Sequence, residues 1–130
     1  MPNDNSRKVR QILEEIKGNA HDQLVKLKFE PTSFTWSDFS SNREWIYEYP
    51  FLVSTEVTRG LKVRARVNLL GILTIRIRGY VTKPRNNTTL GPEWVSERKN
   101  FQSPSWRQEN DPDDGIDDIR ASLMWAINHH

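Results

Sequence analysis

From Leu61 to Thr82 the chain alternates apolar and polar residues, mostly basic, and few backbone conformations accept that pattern. Leu61, Val63, Ala65, Val67 and Leu69 share one parity, and Lys62, Arg64, Arg66 and Asn68 take the other. After Gly71 the odd positions carry Leu73, Ile75, Ile77 and Val81, while Thr74, Arg76, Arg78, Tyr80 and Thr82 fall on the even ones. A period of two belongs to a strand with one buried face; a helix would scatter the arginines around its circumference. The pattern predicts an antiparallel hairpin over 61–82 with an apolar face and a basic one. A three-residue turn at Leu70-Gly71-Ile72 preserves parity. It sets Leu69 facing Leu73, Arg66 opposite Arg76, Arg64 opposite Arg78 and Lys62 opposite Tyr80.

The flanking segments supply what such a hairpin needs to bury its apolar side. Val9, Ile12, Leu13 and Ile16 follow helical spacing, and Ala20, Leu24 and Leu27 continue the stripe, which favours one long helix running to about Lys28 over a stop at Gly18-Asn19 or a short strand at Leu24–Phe29. Residues 30–42, with Pro31 and many Ser and Thr, read as a loop that carries Phe34, Trp36 and Phe39. Trp45–Val57 alternates again, with Trp45, Tyr47, Tyr49, Phe51 and Val53 on one parity, so a further strand is expected there. Pro50 lacks an N–H, which places that strand at a sheet edge or divides it. Residues 83–92 read as a turn or loop, and 93–101 as a strand or a short helix. A helix closes the chain at about 114–128, with Ile116, Ile119, Leu123, Ala126 and Ile127 as its stripe.

The fold class predicted is therefore α+β: an N-terminal helix, an antiparallel sheet of three to five strands centred on the Arg-rich hairpin (61–82), and a C-terminal helix. At 130 residues this is a single domain, 1–130, with 1–5 and 103–113 expected to be flexible. Aliphatic residues are scarce, so the core leans on rings. Phe29, Phe34, Trp36, Phe39, Trp45, Tyr47, Tyr49 and Phe51 crowd a span of 23 residues.

Charge is partitioned along the chain. Between Glu56 and Glu93 there is no acidic residue, yet eight bases fall there: Arg59, Lys62, Arg64, Arg66, Arg76, Arg78, Lys83 and Arg85. Glu109, Asp111, Asp113, Asp114, Asp117 and Asp118 occupy ten residues that contain no base. Such separation speaks to partners rather than to fold. Arginines opposed across a hairpin repel, and an anion held between them would relieve that repulsion. Arg64, Arg66, Arg76 and Arg78 form the expected anion-gripping set, Arg59, Lys62, Lys83 and Arg85 flank it, and Tyr80 offers a stacking surface. The acidic run has a plain explanation, since aspartates suit the positive end of a helix dipole. It is also a candidate surface for self-association or for the basic ribbon of a second copy, giving a possible homodimer.

Other chemistries find little footing. No cysteine is present, which excludes disulfides, thiolate nucleophiles and cysteine-based metal sites. Setting Gly115 at the sixth position of a calcium loop puts Pro112 third and Ala121 twelfth, and neither has a side-chain oxygen. His21 beside Asp22 and the terminal His129 and His130 form no recognisable ligand or catalytic pattern, and no phosphate-binding glycine loop or nucleophile elbow occurs. No cofactor and no metal are expected, and catalysis is disfavoured. No apolar run spans a membrane, and the polar N-terminus lacks a signal sequence, so a cytoplasmic, intracellular protein without membrane contact is expected. The function expected is binding through the Arg face, with nucleic-acid backbone as the first partner. An acidic protein surface is the alternative, and a small carboxylate enzyme the third reading.

Overall fold

A computed structural model describes residues 4–29, 37–40, 43–98 and 114–130. Two helices pack on one face of an antiparallel sheet, so the protein is α+β as its alternation and helical stripes require. Helix α1 runs Asp4–Lys26, passing through Gly18 without a break. It ends where Lys28 takes a left-handed φ of 63°, and the Phe29 amide donates back to the Leu24 carbonyl at 2.9 Å. Six strands follow among the described residues: β1 (Ser37–Ser40), β2 (Glu44–Val53), β3 (Thr58–Val67), β4 (Leu73–Lys83), β5 (Asn87–Leu90) and β6 (Trp94–Arg98). Helix α2 (Asp114–Asn128) closes the chain.

The sheet is a meander in the order β1-β2-β3-β4, with β5 and β6 both paired to the outer side of β4. Tyr80 faces Leu90 while Ile77 faces Trp94, so β5 and β6 act as one edge ribbon offset by a single extra residue around Gly91-Pro92-Glu93. The architecture is thus five rows of strand. Two expectations change here. The segment 83–92 is not a plain loop, because after a short 3₁₀ turn at Pro84–Asn86 it forms β5. Part of 30–42 is also a strand, β1, on the far side of β2. Pro50 pairs with Gly60 of β3 and, among the described residues, has no partner on the β1 side, where the ladder stops at Glu48. It is tolerated because the β2–β3 ladder slips between Pro50 and Leu52, leaving Phe51 as the unpaired residue.

The parity of β3 and β4 holds. Leu61, Val63, Ala65, Val67, Leu73, Ile75, Ile77 and Val81 are buried, joined from β2 by Trp45, Tyr47, Tyr49 and Phe51. Val9, Ile12, Leu13, Ile16, Ala20 and Leu24 of α1 and Ile119, Leu123 and Ala126 of α2 complete one core. Gly79 interrupts the apolar series of β4 for a steric reason. A Cβ there would stand 2.4 Å from the Ser122 carbonyl oxygen, and a Cβ on Gly91 would stand 2.6 Å from the Trp125 ring. The two glycines make a trough in which α2 lies directly on the backbone of β4 and the edge ribbon.

The turn of the hairpin sits one residue earlier than the spacing suggests. Its loop is Leu69-Leu70-Gly71, with the Gly71 amide donating to the Asn68 carbonyl at 3.0 Å and Gly71 at φ 77°. Three-residue hairpins need the left-handed residue last, and glycine takes that place at little cost. Asn68 opens the turn, its Oδ1 accepting the amides of Leu70 and Ile72, both at 2.9 Å. Parity survives because the loop length is unchanged, but every cross-strand partner moves by two. Leu69 consequently stands in solvent instead of facing Leu73.

The residues expected to be flexible at 103–113, and those at 1–3, lie outside the described residues. Among the described residues no helix is long and apolar enough to cross a membrane. The glycine trough makes a paired prediction measurable by thermal unfolding. Gly79→Ala forces α2 off the sheet and should cost about 1–3 kcal/mol, the range for overpacking. Gly18→Ala, on an exposed helical position with nothing within 4 Å of the added methyl, should stabilise by about 0.5–1 kcal/mol.

Candidate functional site

The face of the sheet opposite the helices carries the even residues in ordered rows. Reading across β2, β3, β4 and β6, one row is Glu44, Arg66, Thr74 and Glu97, and the next is Ile46, Arg64, Arg76 and Val95. The third is Glu48, Lys62 and Arg78, and the fourth sets Gly60 beside Tyr80 and Leu90. The shifted turn thus opposes one arginine pair, Arg64 with Arg76, where two were expected. Arg66 faces Thr74, and Arg78 faces Lys62 rather than Arg64.

Carboxylates from β2 and the edge ribbon enter this face, and they were not foreseen as its partners. Glu44 Oε1 lies 2.8 Å from Arg64 Nε, and Glu48 Oε1 lies 3.4 Å from Lys62 Nζ. Glu93, placed by the extra residue of the edge ribbon, reaches both Arg76 at 3.6 Å and Arg78 at 3.4 Å. All four pairs are partly solvent-exposed, and such contacts contribute about 0–1 kcal/mol each, so they leave the arginines exchangeable. The neutralisation is uneven. No carboxylate among the described residues pairs with Arg66, which is exposed. An open hollow of about 190 Å³ beside it is lined by Arg64, Arg66, Asn68, Thr74 and Arg76, with no acidic residue among the described residues of its wall. The neighbouring hollow, about 120 Å³, lies between Lys62, Arg64, Arg76, Arg78, Leu90 and Glu93 and contains the carboxylate.

The remaining residues of the expected basic set go elsewhere. Tyr80 has the parity of the Arg face, but it is only 7% exposed, and its ring lies where a Cβ on Gly60 would be. A ring so covered presents little surface for a base to stack on. Its hydroxyl is held well above the ordinary value of 10.0, by burial first and by the charge of Glu48 second. Arg59 leaves the face altogether, donating to the carbonyls of Ala126 and His129 at the end of α2, where a cation complements the helix dipole. Lys83 and Arg85 sit at the β4–β5 turn, beyond the ordered rows.

Of the acidic run, Glu109, Asp111 and Asp113 lie outside the described residues. Asp114 begins α2, and Asp117 and Asp118 fall in its first turns, where the negative charge of those two suits the helix dipole. His21 does not turn to Asp22: its Nδ1 lies 3.2 Å from the Tyr49 hydroxyl. His129 stacks on Trp125 with ring centroids 4.4 Å apart. Arg98, on the helix side of β6, is buried. Desolvation lowers its proton affinity and the charge of Glu15 opposes that shift.

No protein-family model matches this chain, and no curated protein and no solved structure matches it either. Function is therefore read from this face.

Two buried phenols set a testable pH limit. Tyr80 and Tyr49 both hold their protons more tightly folded than unfolded, burial being the main cause in each. Their contribution is complete below the unfolded value of 10.0 and is lost progressively as pH rises above it, because only the unfolded chain then ionises freely. Denaturant midpoints measured across that range should fall, and more gently in Tyr80→Phe.

Proposed function

We propose that this chain is a non-enzymatic binding module whose Arg-bearing sheet face takes up a polyanion, with the phosphodiester backbone of a nucleic acid as its ligand. The observation that carries this reading is the surplus of guanidinium at the turn end of the face. Arg64 and Arg76 are directly opposed, Arg66 beside them makes no ion pair among the described residues although Glu44 is its cross-strand neighbour, and the three line an open hollow. Like charges set opposite one another in a sheet are destabilising. A phosphate seated between them turns that repulsion into charge-assisted hydrogen bonds, for which the planar fork of arginine is suited. The competing carboxylates, Glu44 on Arg64 and Glu93 on Arg76, are held by partly exposed ion pairs that a phosphate can displace. With Tyr80 covered, recognition falls on the backbone and little on the bases, so weak sequence preference is expected.

Fluorescence anisotropy against a labelled duplex and a labelled single strand tests this. Affinity should fall steeply between about 50 and 200 mM salt, with a log–log slope near −0.9 per contacted phosphate on the duplex. Arg66→Ala should weaken binding to all sequences alike and make that slope shallower by about one. Glu44→Gln, which removes one competitor, should strengthen binding severalfold. Absence of binding, or binding indifferent to salt, would overturn the reading.

A second reading has its own observation. Ile46 lies among the charges, and Leu90 and Val95 are exposed on the same face, so arginine, paired charge and apolar surface alternate as they do in protein interfaces. Its signature is association that persists in salt and is not displaced by added polynucleotide.

A further inference from the structure

Resting on the nucleic-acid reading, we propose that the Leu69-Leu70 turn is an apolar wedge that enters a kinked base step of a duplex whose phosphates are gripped by Arg64, Arg66 and Arg76. Leu69 is 86% exposed and Leu70 84%, the two largest exposures among the apolar residues described. They are not on a slack loop. Asn68 Oδ1 ties down the amides of Leu70 and Ile72, and Gly71 closes the turn, so both side chains are presented on a fixed tip.

Among the described residues, the flanking ladders also stop short of the tip. The last residue of β2 in the ladder is Glu44, opposite Arg66, and the last of β6 is Arg98, opposite Leu73. Beyond those rows only the turn residues 68–72 remain, and a tip of that size enters a minor groove that kinking has opened.

Placement gives the tip a partner of definite chemistry. Immediately behind it lies the hollow with three guanidiniums and, among the described residues, no acid in its wall. An apolar insert flanked by arginines meets the two demands of a deformed duplex, a hydrophobic surface between unstacked bases and cations on the adjoining phosphates. Unstacking is easiest at pyrimidine–purine steps, so the wedge selects deformable sites without hydrogen-bonding any base.

The probe is a duplex with a central TA step, a fluorescent adenine analogue at that step and dyes at both ends; a stiff A-tract duplex of equal length serves as comparison. The unaltered protein should brighten the analogue, bring the dyes closer and prefer the TA duplex about tenfold. Leu69→Ser/Leu70→Ser alters only exposed side chains and should melt at the same temperature. It should keep salt-dependent binding to the A-tract duplex while losing brightening, bending and preference. Equal binding of both duplexes by the unaltered protein, without bending, overturns the wedge and leaves the backbone reading standing. Binding to neither overturns both. If the double variant still bends DNA but no longer floats with phosphatidylserine-containing vesicles that the unaltered protein binds, the wedge is overturned in favour of a bilayer contact.

Discussion

The pairing of β3 with β4 is the interaction on which the rest of the molecule rests, and a five-residue turn determines it. Asn68 and Gly71 choose where the chain reverses, and that choice propagates along both strands. A slip of one residue would turn every buried aliphatic of one strand to solvent, so the core polices parity strongly. A slip of two would keep every aliphatic on the core side while rearranging the arginines and moving Tyr80 off Gly60, so parity alone does not prevent it. The distribution of charge on the open face is thus decided by local turn chemistry and not by hydrophobic burial.

That division of labour explains the electrostatics. The helices and the aliphatic side of the sheet fix which residues are outward, and then the carboxylates of β2 and the edge ribbon meet the basic rows at one end more than at the other. Glu93 serves two arginines because the extra residue in the ribbon brings it alongside both. Glu44 serves Arg64 in preference to Arg66, its direct cross-strand neighbour. The outcome is a face close to charge balance over Lys62 and Arg78, and cationic around Arg66.

Much of this was legible from residue order. The alternation of Leu61–Val67 and Leu73–Val81 specified a one-sided sheet, the stripe of Val9–Leu24 a long first helix, and that of Ile119–Ala126 a second. Partners across strands were not legible, because alternation is blind to shifts of two. The Asn68…Gly71 spacing held the missing clue: asparagine opens such turns and glycine supplies the left-handed residue that closes them. The counter-charges of Glu44, Glu48 and Glu93 depend on that same pairing and on a ribbon built from residues that look like a loop. Tyr80 had the right parity for the open face; its burial over Gly60 depends on the neighbour across the strand, which parity does not reveal.

The one-residue offset between β5 and β6 has a consequence for how this molecule behaves in a crowd. The ribbon is the outermost strand on its side of the described sheet, and it exposes Leu90, Trp94 and Val95. A long, flat apolar edge of this kind is a template on which other chains add strands. Here the template is broken at mid-length, where Gly91-Pro92-Glu93 bends the ribbon, omits an N–H at proline and turns a carboxylate toward the arginines. An incoming strand finds two short ladders out of phase with each other. The offset that carries Glu93 to its cations is, in the same stroke, a guard against runaway sheet growth.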